Sequence, residues 1–404
     1  MNSKNNLPKE FWHFISARLF YTLGLRMIAT IVVYQIFHLA NTYMVGIAGL
    51  TEFLPAVATA LYAGHYIDTH NKKNILVWSY AFYFLCAFSL AFISLPQLNL
   101  AASTKVAAIL CTVFSTGVIR SFSAPASNSM IAAIVPRQKL QKAISLNTST
   151  YLTSSITGHA TGGLLIALTG ISNAYFVSAA LLITASIFAL RIKPKPPVLS
   201  EKKEPMVQAI KHGFSFVWNN KTLLGVISLD LFAVLFGGAV AFIPEIAEHV
   251  LHTGPIGYGF LNAAMDIGSL ISILLLLITP MKQKQGLKML LSVAGFGLFI
   301  IVFGLSKMYW LSFLALAGAG FFDGISMVVR GTISQLNTPD ELRGRVSSIN
   351  MIFINSSNEL GQFESGVTSR LFGTLPAVVF GGLMSVLVVV GTWFKFPNLR
   401  KIEY

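Results

Sequence analysis

Runs of about twenty mostly apolar residues recur along this chain from end to end, and a run of that length is what crosses a bilayer as a helix. A backbone inside hydrocarbon has no water to bond, which leaves helices and closed barrels as the only spanning forms. These runs are about twice as long as a barrel strand needs. Twelve can be placed, near residues 14–38, 43–66, 74–95, 105–134, 143–168, 174–190, 222–247, 257–279, 287–306, 309–335, 346–372 and 375–394. The expected fold class is therefore all-α and integral to a membrane, with twelve transmembrane helices. Charge content agrees: 11% of the residues are charged, against about 25% in a soluble domain. The first span follows MNSKNNLPKEFWH with no small-residue cleavage site, so a retained helix is expected rather than a signal peptide. The two cysteines, Cys86 and Cys111, fall within apolar spans and form no motif.

An even number of spans puts both termini on one side, and the basic residues sort accordingly. Of the 29 Lys and Arg residues, 22 lie in the termini and the connections of that side. Lys105, Lys307 and Arg370 lie near span ends on the other side, and Arg18, Arg26, Arg120 and Arg330 lie within spans. By the positive-inside rule both termini are cytoplasmic. The net charge of +14 is thus a topology signal. It is not a nucleic-acid footprint, because the charges are dispersed among short loops.

One connection is long. Residues 191–221, RIKPKPPVLSEKKEPMVQAIKHGFSFVWNNK, open rich in proline and lysine and turn amphipathic around Val207–Trp218. A cytoplasmic linker ending in a helix on the membrane surface is expected there. It separates an N-terminal six-helix bundle (1–190) from a C-terminal one (222–404). The bundles repeat. PRQKLQKAISLN, Pro136–Asn147, matches PDELRGRVSSIN, Pro339–Asn350, at an offset of 203. The same offset carries Gly158 to Gly361 and Gly163 to Gly366, making GHATGG in span 5 the partner of GQFESG in span 11. Two six-helix halves related in this way suit a transporter that rocks about a central site.

On these features the chain resembles the major facilitator superfamily over nearly its whole length. The loop GHYIDTHNKK, Gly64–Lys73, is similar to the superfamily's signature between spans 2 and 3, with Thr69 in place of the usual Arg and Asn71 in place of Gly. The resemblance implies that Gly64, Asp68, Lys72 and Lys73 form a conformational latch between the halves. Asp68 would be favoured near a helix N-terminus by roughly 0.3–1 kcal/mol; a solvated turn is the alternative. Span 5 resembles the antiporter signature, Gly158-His159-Ala160-Thr161-Gly162-Gly163, with His159 in the usual proline position. The stretches ISLDLFAVLFGGAVAFIP, QLNTPDELRGRVSSIN and SNELGQFESG are similar to the branch that includes the enterobactin exporter and related efflux proteins.

Charges within the spans are the richest signal for a site. Glu52, Asp230, Asp266, Asp323, Glu359 and Glu364 all lie well inside them. Each costs about 2.5–3.5 kcal/mol at mid-membrane, so six facing lipid would cost roughly 18 kcal/mol, beyond the whole stability of a typical fold. Most must face protein, water or a cation. The resemblance implies that spans 1, 4, 7 and 10 line a cavity; these carry Arg26, Arg120, Asp230, and Asp323 with Arg330. Arg26 and Arg120 either bind an anionic substrate through their planar forks or pair with acids to lock helices. Asp323 and Arg330, seven apart, share a helix face, as substrate contacts or as one network. Asp230 is the first choice for a titrating acid. Asn355, Glu359 and Gln362 share one face of span 11 and Glu364 points elsewhere. Glu359 and Glu364 suit an interhelical network, with a proton-relay role open. Gly158, Gly162, Gly163, Gly361 and Gly366 allow helices to approach closely. His159, of ordinary pKa about 6.5, is either a hydrogen-bonded buried group or part of the coupling.

No phosphate-binding loop is present, so neither ATP nor another cofactor is expected, and no metal cluster shows in the sequence. No catalytic constellation appears within the spans, which argues against an enzyme. The expected function is export of a small anionic, siderophore-like molecule by proton-coupled alternating access, from a monomer in a bacterial inner membrane, with lipid around it. A hydrophobic drug or macrolide pump is the alternative, and a metal or nutrient transporter stands behind both. The topology can be tested directly. Single cysteines at Asn41, Asn99 and Asn173 should react with an impermeant maleimide in intact cells, whereas those at Asn71 and Ser200 should react only after lysis.

Overall fold

The computed structural model describes residues 7–195, 206–279, 281, 283–339 and 342–403. In chain order its helices are α1 (Lys9–Leu39), α2 (Thr42–Thr69), α3 (Lys72–Ile93), α4 (Ala102–Ile134), α5 (Leu140–Thr169), α6 (Ile171–Leu190), α7 (Met206–Asn219), α8 (Lys221–Gly237), α9 (the single turn Ile243–Glu245), α10 (Pro255–Ile278), α11 (Gln285–Leu305), α12 (Tyr309–Leu336), α13 (Arg343–Phe372) and α14 (Thr374–Lys395). No strand occurs among the described residues. All twelve expected spans are present, and α7 is the amphipathic helix of the linker. The expected residues 196–205 of that linker lie outside the described residues.

Ten of the twelve long segments are apolar enough to cross a membrane by length and composition among the described residues. The other two are α5 and α13, each of 30 residues. Both are rich in Ser, Thr or Asn, and several of their hydroxyls return to their own helix: Thr150 Oγ1 donates to Leu146 O at 2.8 Å and Thr368 Oγ1 to Glu364 O at 2.9 Å. Bonded back in this way, a hydroxyl leaves no unmet donor in a hydrophobic setting.

The repeat is visible in three dimensions. α5 and α13 begin and end at positions 203 apart, and each is closed by a glycine, Gly170 (φ 85°) and Gly373 (φ 82°), also 203 apart. Within the first unit, α1 packs on α5 and α6, and α3 packs on α4 and α6. Within the second, α8 packs on α13 and α14, and α11 packs on α12 and α14. Helices equivalent by the repeat thus make equivalent contacts.

The chain divides into two compact units, Met1–Ala40 with Leu54–Lys202, and Asn41–Phe53 with Lys203–Tyr404. The start of α2 therefore groups with the second unit, where the boundaries read from sequence had placed it in the first bundle. Its glycines explain the grouping: a Cβ on Gly46 would lie 2.9 Å from Gln362 O and 3.0 Å from the Gly366 Cα. Arg370 covers the Tyr43 ring at 4.9 Å, and Thr42 Oγ1 donates to Glu245.

Span 7 differs from the continuous helix expected over 222–247. α8 stops at Gly237, and Gly238 is extended (ψ 99°). The chain resumes through a 3-10 turn at Val240–Phe242, then α9, then a wide turn at Ile246–Val250. Adjacent glycines supply the break. Ser365 Oγ donates to the Gly238 carbonyl at 2.8 Å, so the interruption leaves that acceptor bonded.

In α7, Gly213 and Val217 are buried, with Val217 packed in a cluster with Leu223, Ile227, Val346 and Ile349. Its other face exposes Lys211, Phe214 and Trp218, the last two stacked at 5.8 Å. The backbone of Gly170 and Gly373 (ψ 169° and 159°) lies in a region almost reserved for glycine, where a side chain costs about 1–3 kcal/mol. Gly170→Ala and Gly373→Ala should each lower stability by that amount in thermal unfolding of the detergent-solubilised protein. Gly391→Ala, within α14 and with nothing within 4 Å of its Cβ position, should be neutral or slightly stabilising.

Candidate functional site

The first unit concentrates arginine and tyrosine. Arg18 and Arg26 both rise from α1, eight residues and about 12 Å apart along the axis. Between them comes Tyr151 of α5. Its hydroxyl accepts a hydrogen bond from Arg26 Nη2, and the Arg26 and Arg18 guanidinium carbons lie 5.4 and 5.9 Å from its ring centre. Arg18 Nη1 also donates to Ser127 Oγ of α4. Tyr21, on α1, donates to Ser123 Oγ at 3.0 Å, stacks on Tyr80 at 4.3 Å and meets Tyr83 edge-on at 5.6 Å. The charges of Arg18 and Arg120 both act on the Tyr21 phenol. Helices α1, α3, α4 and α5 thus bring three intramembrane arginines to one aromatic cluster.

His159 joins the same helix pair. Its Nδ1 lies 2.7 Å from Thr30 Oγ1, and that hydroxyl donates to the Arg26 carbonyl at 2.9 Å. A threonine hydroxyl has one proton, so with that proton on the Arg26 carbonyl the His159 Nδ1 serves as donor. A Cβ on Gly158 would come within 2.7 Å of the Arg26 Cβ, and one on Gly162 within 3.3 Å of the Thr30 Cβ. Gly163 is buried. Close approach of α5 to α1 is therefore what delivers Tyr151 and His159 to Arg26.

The second unit carries the carboxylates. Asp230 of α8 and Arg330 of α12 form an ion pair, and both are buried, at 7% and 6% exposure. This corrects the expected sharing between Asp323 and Arg330. Seven residues along one helix separate those two by about 10 Å, whereas α8 and α12 are packed neighbours. Asp323 instead interacts electrostatically with Asp266 of α10. The two stand level because α10 and α12 touch through backbone: Ser269 Oγ donates to Gly320 O at 2.9 Å. Glu359 is buried, and Glu364, five residues on, is half-buried on another face of α13. Gly361 accommodates α8, with Leu235 O and Val234 O at 3.0 Å from its Cβ position, and Gly366 accommodates Tyr43 and Gly46.

At the latch-like loop, Asn71 caps α3 by accepting from Lys73 N at 3.1 Å, and it also accepts from Lys195 N at 3.0 Å. Lys72 N donates to Lys195 O at 3.3 Å, and Lys195 pairs with Glu10 at 3.0 Å. Gly64 is within α2. The side chains of Asp68 and Asn355 lie outside what the structure describes. The sequence reading passed over Arg18, Tyr151 and Asp266 as site residues. The available signal was the rarity of an arginine within a span; Tyr151 carried none. No cluster of His, Cys, Asp and Glu able to hold a metal ion occurs among the described residues.

Removing one member of a buried ion pair strands the other, at a cost of about 3–5 kcal/mol, while replacing both by apolar residues is often neutral. Asp230→Asn should therefore lower the unfolding free energy by that amount. Adding Arg330→Met to it should recover most of the loss, as read by thermal unfolding.

A family model described as Major Facilitator Superfamily matches residues 14–362. Among curated relatives, the enterobactin exporter EntS of Shigella dysenteriae serotype 1 is 24% identical over 309 residues, covering 76% of this chain and 73% of the relative. The enterobactin exporter EntS of Escherichia coli O127:H6 is 25% identical over 328 residues, 81% and 77% of the two chains. Among solved structures, a D-xylose-proton symporter superposes with a TM-score of 0.78 at 12% identity, covering 98% and 99% of the chains. A POT family transporter in complex with 5-aminolevulinic acid gives 0.75 at 8% identity, with 97% coverage of each.

Proposed function

The chain belongs to the Major Facilitator Superfamily and is a multi-pass membrane transporter; we propose that it exports a small, anionic, siderophore-like molecule across a bacterial inner membrane by alternating access coupled to proton entry. One observation supports the anionic cargo above others. The first unit's spanning helices gather Arg18, Arg26 and Arg120 about Tyr21 and Tyr151. A planar guanidinium matches carboxylate or phenolate oxygens bidentately. The likeness to enterobactin exporters at 24–25% identity supports the same reading.

Coupling falls to the second unit. Asp230 is the proton carrier in this scheme: protonating it dissolves the pair with Arg330, and the freed cation favours a different helix arrangement. Asp323 lies two turns of α12 from Arg330, with Asp266 near it, and serves as a second acceptor. Glu359 and Glu364 on α13, and His159 against Thr30, relay protons or hold the helices, and the loop Gly64–Lys73 latches one state. Both termini are cytoplasmic, and the protein acts as a monomer without cofactor, metal or catalytic chemistry. A drug or macrolide pump would need a neutral apolar cavity, which the arginine cluster disfavours.

Loss of one partner of a desolvated charged contact costs roughly 2–5 kcal/mol, or about 30- to 5,000-fold in affinity. In calorimetric titration of the purified protein, Arg26→Ala and Arg120→Ala should weaken a siderophore anion by that factor. A neutral ester of the same molecule should lose far less. Arg26→Lys should recover only part of the loss, because lysine lacks the fork. Equal losses for anion and ester would refute the anionic reading.

A further inference from the structure

The C-terminal segment closes a small basic cavity on the second unit. Past α14 the chain turns through Leu399–Lys401 and packs against the start of α11. There Gly286 N donates to Ile402 O at 3.3 Å, and Lys284 N donates to the Glu403 carboxylate at 3.2 Å. Leu399 is buried, and its carbonyl oxygen fills the space that a Cβ on Gly286 would need. The segment is therefore fitted to α11 rather than laid over it. The cavity between them measures about 470 Å³ and is lined by Lys284, Leu287, Trp393, Arg400, Lys401 and Glu403. Three of these six are cations and one is an acid. Glu403 is engaged by the Lys284 backbone, and the Arg400 guanidinium lies 4.8 Å over the Trp393 ring. Like charges gathered around one cavity repel, and an anion within it would relieve them.

The surroundings set the kind of anion. The cavity lies where two spanning helices end, since α11 begins at Gln285 and α14 stops at Lys395. Ends of spans stand at the level of lipid headgroups, where tryptophan also collects. Beyond the cavity, exposed Leu291 and Leu298 continue the Leu287 face along α11. Exposed Phe394, Leu387 and Leu383 make a second stripe along α14, and the two helices pack together. A cationic pocket at the head of two apolar stripes matches a molecule with a phosphate at one end and acyl chains at the other. We infer that this pocket seats the phosphate diester of an anionic phospholipid. Arg400 grips the phosphate through its planar fork, Lys284 and Lys401 add charge, and the acyl chains lie along α11 and α14. A free phosphate shares that headgroup chemistry but leaves both apolar stripes unused. A zwitterionic lipid has the chains, but its own cation opposes the three of the pocket.

The full-length protein in detergent can be titrated with phosphatidylglycerol carrying brominated acyl chains, which quench tryptophan on contact. Brominated phosphatidylcholine is the zwitterionic match, and glycerol 1-phosphate and inorganic phosphate are competitors without chains. Wild type should bind phosphatidylglycerol at least about ten-fold tighter than phosphatidylcholine, and Trp393→Phe should remove part of the quenching. Arg400→Gln should weaken phosphatidylglycerol about five-fold, and Arg400→Gln with Lys401→Gln about twenty-five-fold, the worth of one and two cations beside an anionic headgroup. Both should leave phosphatidylcholine within about two-fold. Glu403→Gln still accepts from Lys284 N but removes the acid, so it should tighten phosphatidylglycerol about five-fold. If the two lipids quench alike, or if the double variant leaves phosphatidylglycerol unchanged, the pocket is not an anion site. If inorganic phosphate or glycerol 1-phosphate displaces the lipid at the lipid's own concentration, the pocket takes free phosphate and the lipid assignment falls. Unfolding temperatures of each variant separate loss of binding from loss of fold.

Discussion

A polar group carried into hydrocarbon must find its partner inside the protein, and both units are built around that demand. The backbone meets it by being helical nearly throughout. Where it is not, as at Gly237–Gly238 in span 7, Ser365 supplies the missing donor. Side-chain hydroxyls meet it by bonding back into their own helices, and Gln35 meets it by joining Ser94 at 2.9 Å and Tyr175 at 3.0 Å. Charges meet it in two ways. Asp230 and Arg330 neutralise each other, while Arg18 and Arg26 lean on an aromatic ring and a hydroxyl. The second leaves the Arg18 Nε buried without a hydrogen-bond partner among the described residues.

That contrast gives the two units different chemical characters despite their shared architecture. The first gathers guanidinium groups and phenols. The second offers carboxylates, one of them already engaged by an arginine. Exchange of protons for an anion requires both kinds of group. An ion pair is a two-state element, formed or broken, and a two-state element is what couples protonation to a change of conformation.

The fold was legible because the membrane imposes it locally. Twelve apolar runs, the asymmetry of lysine and arginine, and the offset of 203 residues are all one-dimensional facts. That offset carries α5 onto α13 to the residue at both ends. The site was less legible, for reasons equally physical. Helical spacing reports which residues share a face of one helix and is silent about the neighbour. It suggested that Arg330 goes with Asp323, yet α8 brings Asp230 to it from 100 residues away. Tyr151 looked ordinary, because its partners lie 125 and more residues distant on α1. The interruption of span 7 was hidden within an uninterrupted apolar run, since hydropathy does not register a change of backbone angle at Gly238.

The two least apolar spans are related by the repeat, and this constrains the motion. α5 carries Tyr151, His159 and the glycines that admit α1, while α13 carries Glu359, Glu364 and the glycine that admits α8. A helix bearing such side chains loses several kcal/mol if it turns them toward lipid. Neither helix is therefore free to rotate about its own axis or to trade places with an apolar neighbour during a transport cycle. Close glycine contacts with the first helix of each unit bind them further, because separating the pair would open voids that hydrocarbon fills poorly. Through any motion, α5 and α13 must keep facing protein or water. The polarity that weakens their membrane signature is then a record of that restriction. The most polar side chains of the spans thus sit on the helices least able to face anything else.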